Sequence, residues 1–349
     1  MKKQVKKFIA LILVMAFAFA VVGCGGGDKE PAPADNGDKA PAEAITLHWG
    51  ATSSPEHSYA TVSEDFINAV KERTNGSVII SPEFAGVHGG ERQMTESVMR
   101  GDLDMEMTSD VGLAALFPDL GFTQLPFLFK DYDDVDARYL NGWMGEVIEK
   151  RLAEKGIIVL GWGENDYRAL TNSKHPISGA NDLEGLKIRV PEIPMYIEFF
   201  KQLGALPTPM AVTELPTALQ QKTIDGQDNG AILTYSYGYY QFQPYMTKLQ
   251  HIYSGTVLII SEKTWNKLSE EQQNIIAEEA EKYCAAQLER NRADVAEFYQ
   301  NMEEKGVEII EPSPELIARA QEIGKNIMND PKNDELYGKD VMDRLRAGE

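Results

Sequence analysis

Beyond residue 44, short runs of β-branched and aromatic residues alternate with stretches in which apolar side chains return every three or four positions. Ile45–Trp49 forms the first run. Over Tyr59–Thr74, Val62, Phe66, Ala69 and Val70 fall on one helical face, and Asn75-Gly76 supplies the stop. Ser77–Ile80 reads as a second strand, Glu91–Arg100 as a helix with Met94 and Val98 inward and Gly101 as terminator, and Leu103–Met107 as a third strand. Gly156–Leu160 gives a fourth. The β-α-β-α-β order over residues 45–107 predicts a doubly wound lobe, in which ligands sit outside the carboxyl ends of the strands.

A second unit begins near Asp166. Leu186–Val190 is a strand closed by Pro191, Tyr196–Leu203 and Glu214–Gln221 are helices, and Ile224-Asp225-Gly226 opens a short strand. The chain returns through His251–Ile260. A long helix then runs from Ser269 to about Lys305, with Ser269 and Gln272 as a capping box and Gly306 as its end. Ile276, Ala280, Cys284, Leu288, Val295, Phe298 and Met302 make its apolar stripe, which marks Cys284 as a small core residue. Another helix spans about Pro314–Met328. From Asp330 onward the chain is polar and is expected to be loosely held.

The N-terminus has a different pattern. Lys2, Lys3, Lys6 and Lys7 precede an uninterrupted apolar run from Phe8 to Val22, whose 15 residues fall short of the roughly 20 that a helix needs to cross a bilayer. Val21-Val22-Gly23-Cys24 places small residues before a cysteine, as in a bacterial lipoprotein cleavage site, so residues 1–23 read as a signal peptide and Cys24 as the lipidated first residue. An ordinary secretory peptide with an incidental cysteine is the plainer alternative. Residues 24–44, rich in Gly, Pro, Ala, Asp and Lys, form a flexible tether.

Composition narrows the function. The chain has 34 Lys+Arg against 54 Asp+Glu, a net charge of −20, and loss of the four lysines in residues 1–23 leaves 30 against 54, or −24. So acidic a protein lacks the basic footprint that nucleic acid requires. Five scattered histidines and two distant cysteines give no metal-ligand spacing and no disulfide framework. No cofactor is expected: Gly161-Trp162-Gly163 is followed by Asp166 where a dinucleotide fingerprint needs glycine, and neither a phosphate-loop nor a nucleophile-elbow motif occurs. What stands out is Arg189 inside the strand Lys187-Ile188-Arg189-Val190, because an unpartnered guanidinium is costly to bury. It is either an interlobe ion pair or a fork for a ligand carboxylate. Arg168 lies near the boundary of the two units.

Arg168-Ala-Leu-Thr, Asp182-Leu-Glu-Gly-Leu-Lys-Ile-Arg-Val-Pro191, Leu203-Gly-Ala-Leu-Pro-Thr-Pro-Met210, Glu214, Ala218-Leu-Gln220 and Asp225-Gly-Gln-Asp-Asn229 follow one another in order. Upstream stand Gly89-Gly-Glu-Arg92, Gly101-Asp-Leu-Asp104 and Leu125-Pro-Phe127. Over about residues 45–310 this series resembles the DctP-type extracytoplasmic solute receptors of tripartite ATP-independent periplasmic (TRAP) transporters. The resemblance implies an α/β, two-lobed periplasmic-binding-protein-like fold with hinge strands and a long C-terminal backing helix. It implies a small organic acid as ligand, a sugar acid, hydroxy acid or C4-dicarboxylate, delivered to a permease of one small and one large membrane subunit. Arg189 would clamp the carboxylate, with Arg168 where many members place a second polar or cationic contact and Asn229 as an amide beside it. Ser109, Asp110 and Glu91 would meet the distal end of the ligand, and the loop Ser53–Tyr59, including His57, would face the same cleft. Val212 stands where some members place an aromatic wall, which leaves room. The chain departs from the pattern at Asp228-Asn229-Gly230, where Glu-Asn-Pro is common, and at Leu215-Pro216 after Glu214.

The domain plan that follows is a first lobe over 45–167, a second over 168–255, residues 256–329 packing across both, and a polar tail over 330–349. Glu91 and Asp110, if they line the cleft and are not solvated surface groups, favour a hydroxy acid, sugar acid or amino-acid-like compound over a plain dicarboxylate, unless Arg168 takes a second charge. The implied protein is an extracytoplasmic receptor held at the membrane by Cys24, on the outer face of the cytoplasmic membrane or in the periplasm. A ligand-presenting sensory receptor, and an exported lipoprotein enzyme acting on a similar acid, are the competing classes; the latter needs a nucleophile with a base, and no motif supplies one.

Overall fold

The computed structural model describes residues 44–349; Cys24, the signal segment and nearly all of the tether lie outside the described residues. Eleven strands are described: β1 (Ile45–Ala51), β2 (Val78–Glu83), β3 (Met105–Ser109), β4 (Ile157–Tyr167), β5 (Leu170–Asn172), β6 (Lys187–Val190), β7 (Leu206–Pro209), β8 (Gly226–Asp228), β9 (Tyr245–Thr247), β10 (Tyr253–Ser261) and β11 (Glu308–Ile310). They form two sheets, of order β2-β1-β3-β10-β4 and β11-β9-β5-β8-β6-β7. In the first sheet β1 runs parallel to β2 and β3, and β10 runs antiparallel to β3 and β4. In the second, β6 is parallel to β7 and β8, and β5 is antiparallel to β8 and β9. Parallel neighbours need crossover helices, and Ser63–Arg73, Glu91–Arg100 and Pro194–Gln202 supply them.

The chain passes from the first sheet to the second at Arg168-Ala169, between β4 and β5, and back between β9 and β10. The two passages lie side by side: the Arg168 amide donates to the Ile252 carbonyl at 2.8 Å. Behind them runs the helix Glu270–Glu304, whose 35 residues extend about 52 Å at 1.5 Å per residue. Its first half packs Ile276, Ala280, Tyr283 and Cys284 on the Trp49–Met107 face of the first sheet. Its last turns place Phe298 and Met302 in one cluster with Met246 of the second sheet, Ala169 of the passage, and Ala231 and Ile232 of the helix Ala231–Ser236. Between these apolar ends the buried side is polar. Gln287 donates to the Ser58 hydroxyl and the Glu164 carbonyl, and Asn291 to the Asn165 carbonyl.

Two expectations need correction. The strand expected over Gly156–Leu160 continues to Tyr167. Gly161 and Gly163 lie inside it, because the long helix approaches so closely that a Cβ on Gly161 would fall 2.8 Å from Cys284 Sγ, and one on Gly163 would overlap Gln287. Residues 330–349 are not a loosely held tail: Lys332–Tyr337 and Lys339–Ala347 are helices whose Tyr337, Val341, Met342 and Leu345 are buried in the main core. The Arg344 guanidinium lies 4.0 Å from the Trp143 ring centroid, and Arg151 donates to the Tyr337 carbonyl at 2.6 Å. β11 also adds an edge strand to the second sheet that periodicity did not reveal. No helix among the described residues is long and apolar enough to cross a membrane.

If the last helix is part of the folded body, Met342→Ala should lower the unfolding free energy by about 2–5 kcal/mol, while Lys339→Ala on its exposed side should stay within about 0.5 kcal/mol. Urea denaturation compares the two. Equal, negligible effects would contradict the packing described.

Candidate functional site

Strand ends from both sheets converge on one cavity of ≈ 420 Å³, a size usual for small-ligand sites. The first sheet contributes Thr52 after β1, Ser109 at the end of β3, and Glu91 and Gln93 from the helix that opens at Gly90. The second contributes Arg189 from β6, Met210–Val212 after β7, and Asn229 after β8, while Arg168 projects from the passage between the sheets. This is the carboxyl-end position expected of α/β sheets.

Arg189 is buried, and its fork is held by a neutral group: Nε and Nη2 donate to the Met210 carbonyl at 3.0 and 2.7 Å. No carboxylate stands within ion-pair distance of it among the described residues. Burial pulls its pKa down, with the nearby Asp228 opposing and Arg168 adding to the effect. Arg168 is different. Its Nε and Nη2 each donate at 3.0 Å to the two carboxylate oxygens of Asp228, and Nη2 also donates to the Asp228 carbonyl. Its guanidinium lies 5.2 Å from the Tyr196 ring centroid. Burial alone would raise the Asp228 carboxyl, but Arg168 holds it below the usual range.

Ser109 and Glu91 form a second polar corner. Glu91 accepts from the Ser109 amide and hydroxyl, both at 2.9 Å, while the same hydroxyl accepts from the Gly112 amide and caps the helix Asp110–Leu116. Burial raises the Glu91 pKa against those bonds. Asn229 donates to Gln227 Oε1 at 2.6 Å, and Gln227 is itself anchored on Thr171. Val212 lies on the wall of the cavity. The structure thus gathers Arg189, Arg168, Asn229, Ser109, Glu91 and Val212 around one space.

Asp110 and His57 are not among the lining residues. Asp110 turns into the protein, where it accepts from the Gly255 amide at 2.9 Å and the Tyr139 hydroxyl at 3.2 Å, and it is 1% exposed. His57 caps the helical turn Ser58–Thr61 by accepting from the Tyr59 amide, with its ring 4.1 Å from that of Tyr59. Burial takes it down to about 3, so it is neutral. Of the loop Ser53–Tyr59 expected to face the cleft, Tyr59 lines the cavity, and sequence reading missed Thr52, Asn165, Tyr237 and Ser254, which line it as well. Tyr59 donates to Asn165 at 2.7 Å, and Tyr237 to Thr52 at 3.5 Å. These residues come from four separated segments, and no local motif ties them together. Among the described residues no cluster of three or more His, Cys, Asp or Glu is arranged to hold a metal.

Comparison with known proteins shows the family and the fold. A family model described as bacterial extracellular solute-binding protein, family 7 (DctP), matches residues 48–333. The 2,3-diketo-L-gulonate-binding periplasmic protein YiaO of Escherichia coli is 32% identical over 267 residues, 76% of this chain and 81% of its own length. The sugar acid binding protein DctPAm of Advenella mimigardefordensis, in complex with galactonate, superposes with a TM-score of 0.82 at 29% identity, covering 88% of this chain and 99% of that one. A TRAP periplasmic solute binding protein of Polaromonas, bound to D-erythronate, gives 0.80 at 32% identity, covering 86% and 98%.

Burial pushes the Asp110 carboxyl from 3.8 up to about 7, against the bonds from Gly255 and Tyr139. Because the folded value lies above the unfolded one, this group's contribution to stability is full below pH 3.8 and is lost as pH rises through about 7. Asp110→Asn should therefore shrink the drop in urea midpoint between about pH 5 and pH 8. An unchanged drop would mean that Asp110 does not carry the proton in the folded state.

Proposed function

Because the chain belongs to the bacterial extracellular solute-binding proteins of family 7, the DctP family, we propose that it is the receptor of a TRAP transporter and binds a sugar acid or related hydroxy acid by its carboxylate on Arg189. The observation that carries this reading is a buried guanidinium whose hydrogen-bond partner is a neutral carbonyl. A buried cation without a counter-ion is strongly unfavourable, and a ligand carboxylate removes that penalty. Asn229 stands beside it as an amide partner. The hydroxyls and amides of Thr52, Tyr59, Ser109, Asn165, Tyr237 and Ser254, with Glu91 as acceptor, provide a wall suited to a polyhydroxylated chain. The galactonate and erythronate bound by the structural neighbours are acids of that kind.

The two-lobed fold supports delivery as well. Drawing the sheets together over the ligand excludes water and strengthens the Arg–carboxylate pair, and the closed form would present the acid to the small and large membrane subunits. Cys24, once lipidated, would tether the receptor through residues 24–44 to the outer face of the cytoplasmic membrane. The protein acts on its ligand by binding alone.

Arg189→Ala should weaken a hexonate by about 2–5 kcal/mol, roughly 30- to several-thousand-fold in Kd, while Lys339→Ala, outside the cavity lining, changes it little. Calorimetric titration with galactonate, gulonate and erythronate measures both. Equal affinity in Arg189→Ala would remove the clamp from the reading. For the anchor, Cys24→Ser is expected to abolish incorporation of labelled fatty acid and to move the receptor from the membrane to the soluble fraction; a variant that stays labelled would place the lipid elsewhere.

A further inference from the structure

The cavity is lined by three cations, Arg92, Arg168 and Arg189. Two are already matched by carboxylates. Arg92 lies 3.5 Å from Glu96 at the rim. Arg168 gives both oxygens of Asp228 a hydrogen bond at 3.0 Å, in a pair whose two side chains are 5% and 0% exposed. Asp228 is not itself a lining residue, so a ligand has no direct access to it. Its place is fixed from behind: it ends β8, and the His251 Nε2 atom lies 3.5 Å away, on a ring stacked against Phe199 at 5.4 Å. Arg168 therefore reaches the ligand as one half of a hydrogen-bonded ion pair, whereas Arg189 is bonded only to the Met210 carbonyl and has no carboxylate at ion-pair distance among the described residues.

We propose that Asp228 determines specificity by holding the charge of the carboxylate clamp at one, so that the receptor selects monocarboxylic sugar acids and rejects the corresponding dicarboxylic acids. This rests on the reading of Arg189 as the clamp. A second carboxylate on the same ligand would find no free cation. Elsewhere on the lining it would meet the carboxyl groups of Glu91, Glu96, Glu192 and Glu214. Discrimination of this kind works by repulsion and unpaired charge, not by better contacts to the favoured ligand. Burying a second carboxylate without a partner costs several kcal/mol. Loss of the Asp228 charge would convert Arg168 into a second free cation lining the same cavity, suited to a dianion.

The test uses matched pairs that share chain length and inner hydroxyls and differ in one terminal group: galactonate against galactarate, and gluconate against glucarate, titrated calorimetrically into the folded protein. The wild type should favour the monoacid of a pair by about 100-fold or more, and Asp228→Asn should cut that ratio by at least about 10-fold, mainly through tighter binding of the diacid. Because Asp228→Asn leaves Arg168 buried without its partner and invites misfolding, Arg168→Gln/Asp228→Asn is made alongside it. This double variant keeps one cation in the clamp and should retain the preference for the monoacid. Comparable wild-type affinity for both members of a pair overturns the inference and leaves the Arg189 clamp standing. A folded Asp228→Asn protein with the wild-type ratio does the same. If neither member of any pair binds the wild type while another class of acid does, the sugar-acid reading falls and this inference with it.

Discussion

The buried pair between Arg168 and Asp228 stands where the whole molecule is joined. Arg168 is the residue at which the chain leaves the first sheet for the second, its amide is bonded to the returning strand at Ile252, and its side chain is bonded to the end of β8. One residue thus links both passages to the floor of the cavity. Replacing a buried ion pair by apolar groups is often neutral for stability, whereas removing one partner is not. The pair is therefore better understood as a device for position and charge than as a source of folding energy. Its position sets Asn229 next to the ligand space, and its charge decides what Arg189 has to balance.

Burial has opposite consequences for the acids and bases around this junction. Asp110 and Glu91 are pushed toward the protonated form, the first to about 7. His57 is pushed toward the neutral form. Asp228, equally buried, stays ionised because a guanidinium is fixed against it. Of these, only Glu91 lines the cavity, together with Arg92, Arg168 and Arg189. The site's electrostatics are accordingly simple, although many titratable groups lie within it or just behind its wall.

Much of this arrangement was legible before the structure. The alternation of short β-runs with amphipathic helices gave two α/β units, and the capping box at Ser269 located the start of the long helix. Arg189 was conspicuous because a guanidinium inside a β-run needs a reason. Other features are not written locally. The polar contacts of Gln287 and Asn291 sit inside an apolar stripe and depend on Ser58, Glu164 and Asn165, more than 100 residues away in the chain. The last helix has only a few apolar residues among many charges, so its burial shows only against its neighbours. Asp110 was misplaced because a residue opening a helix after a strand can face either the cleft or the interior. The Gly255 amide, brought close by antiparallel pairing of β10, draws it inward.

The unmatched charge of Arg189 lies inside a molecule whose net charge is −20, behind a rim that includes Glu96, Glu192 and Glu214. An anionic ligand therefore climbs a repulsive long-range field before it reaches an attractive well. Dissolved salt screens the first, over a Debye length of about 8–10 Å at ordinary ionic strength, and hardly reaches the second. Capture of the acid should then quicken as ionic strength rises, the reverse of ordinary electrostatic steering, while the time the ligand stays bound changes little. Such a receptor is faster in brine than in fresh water.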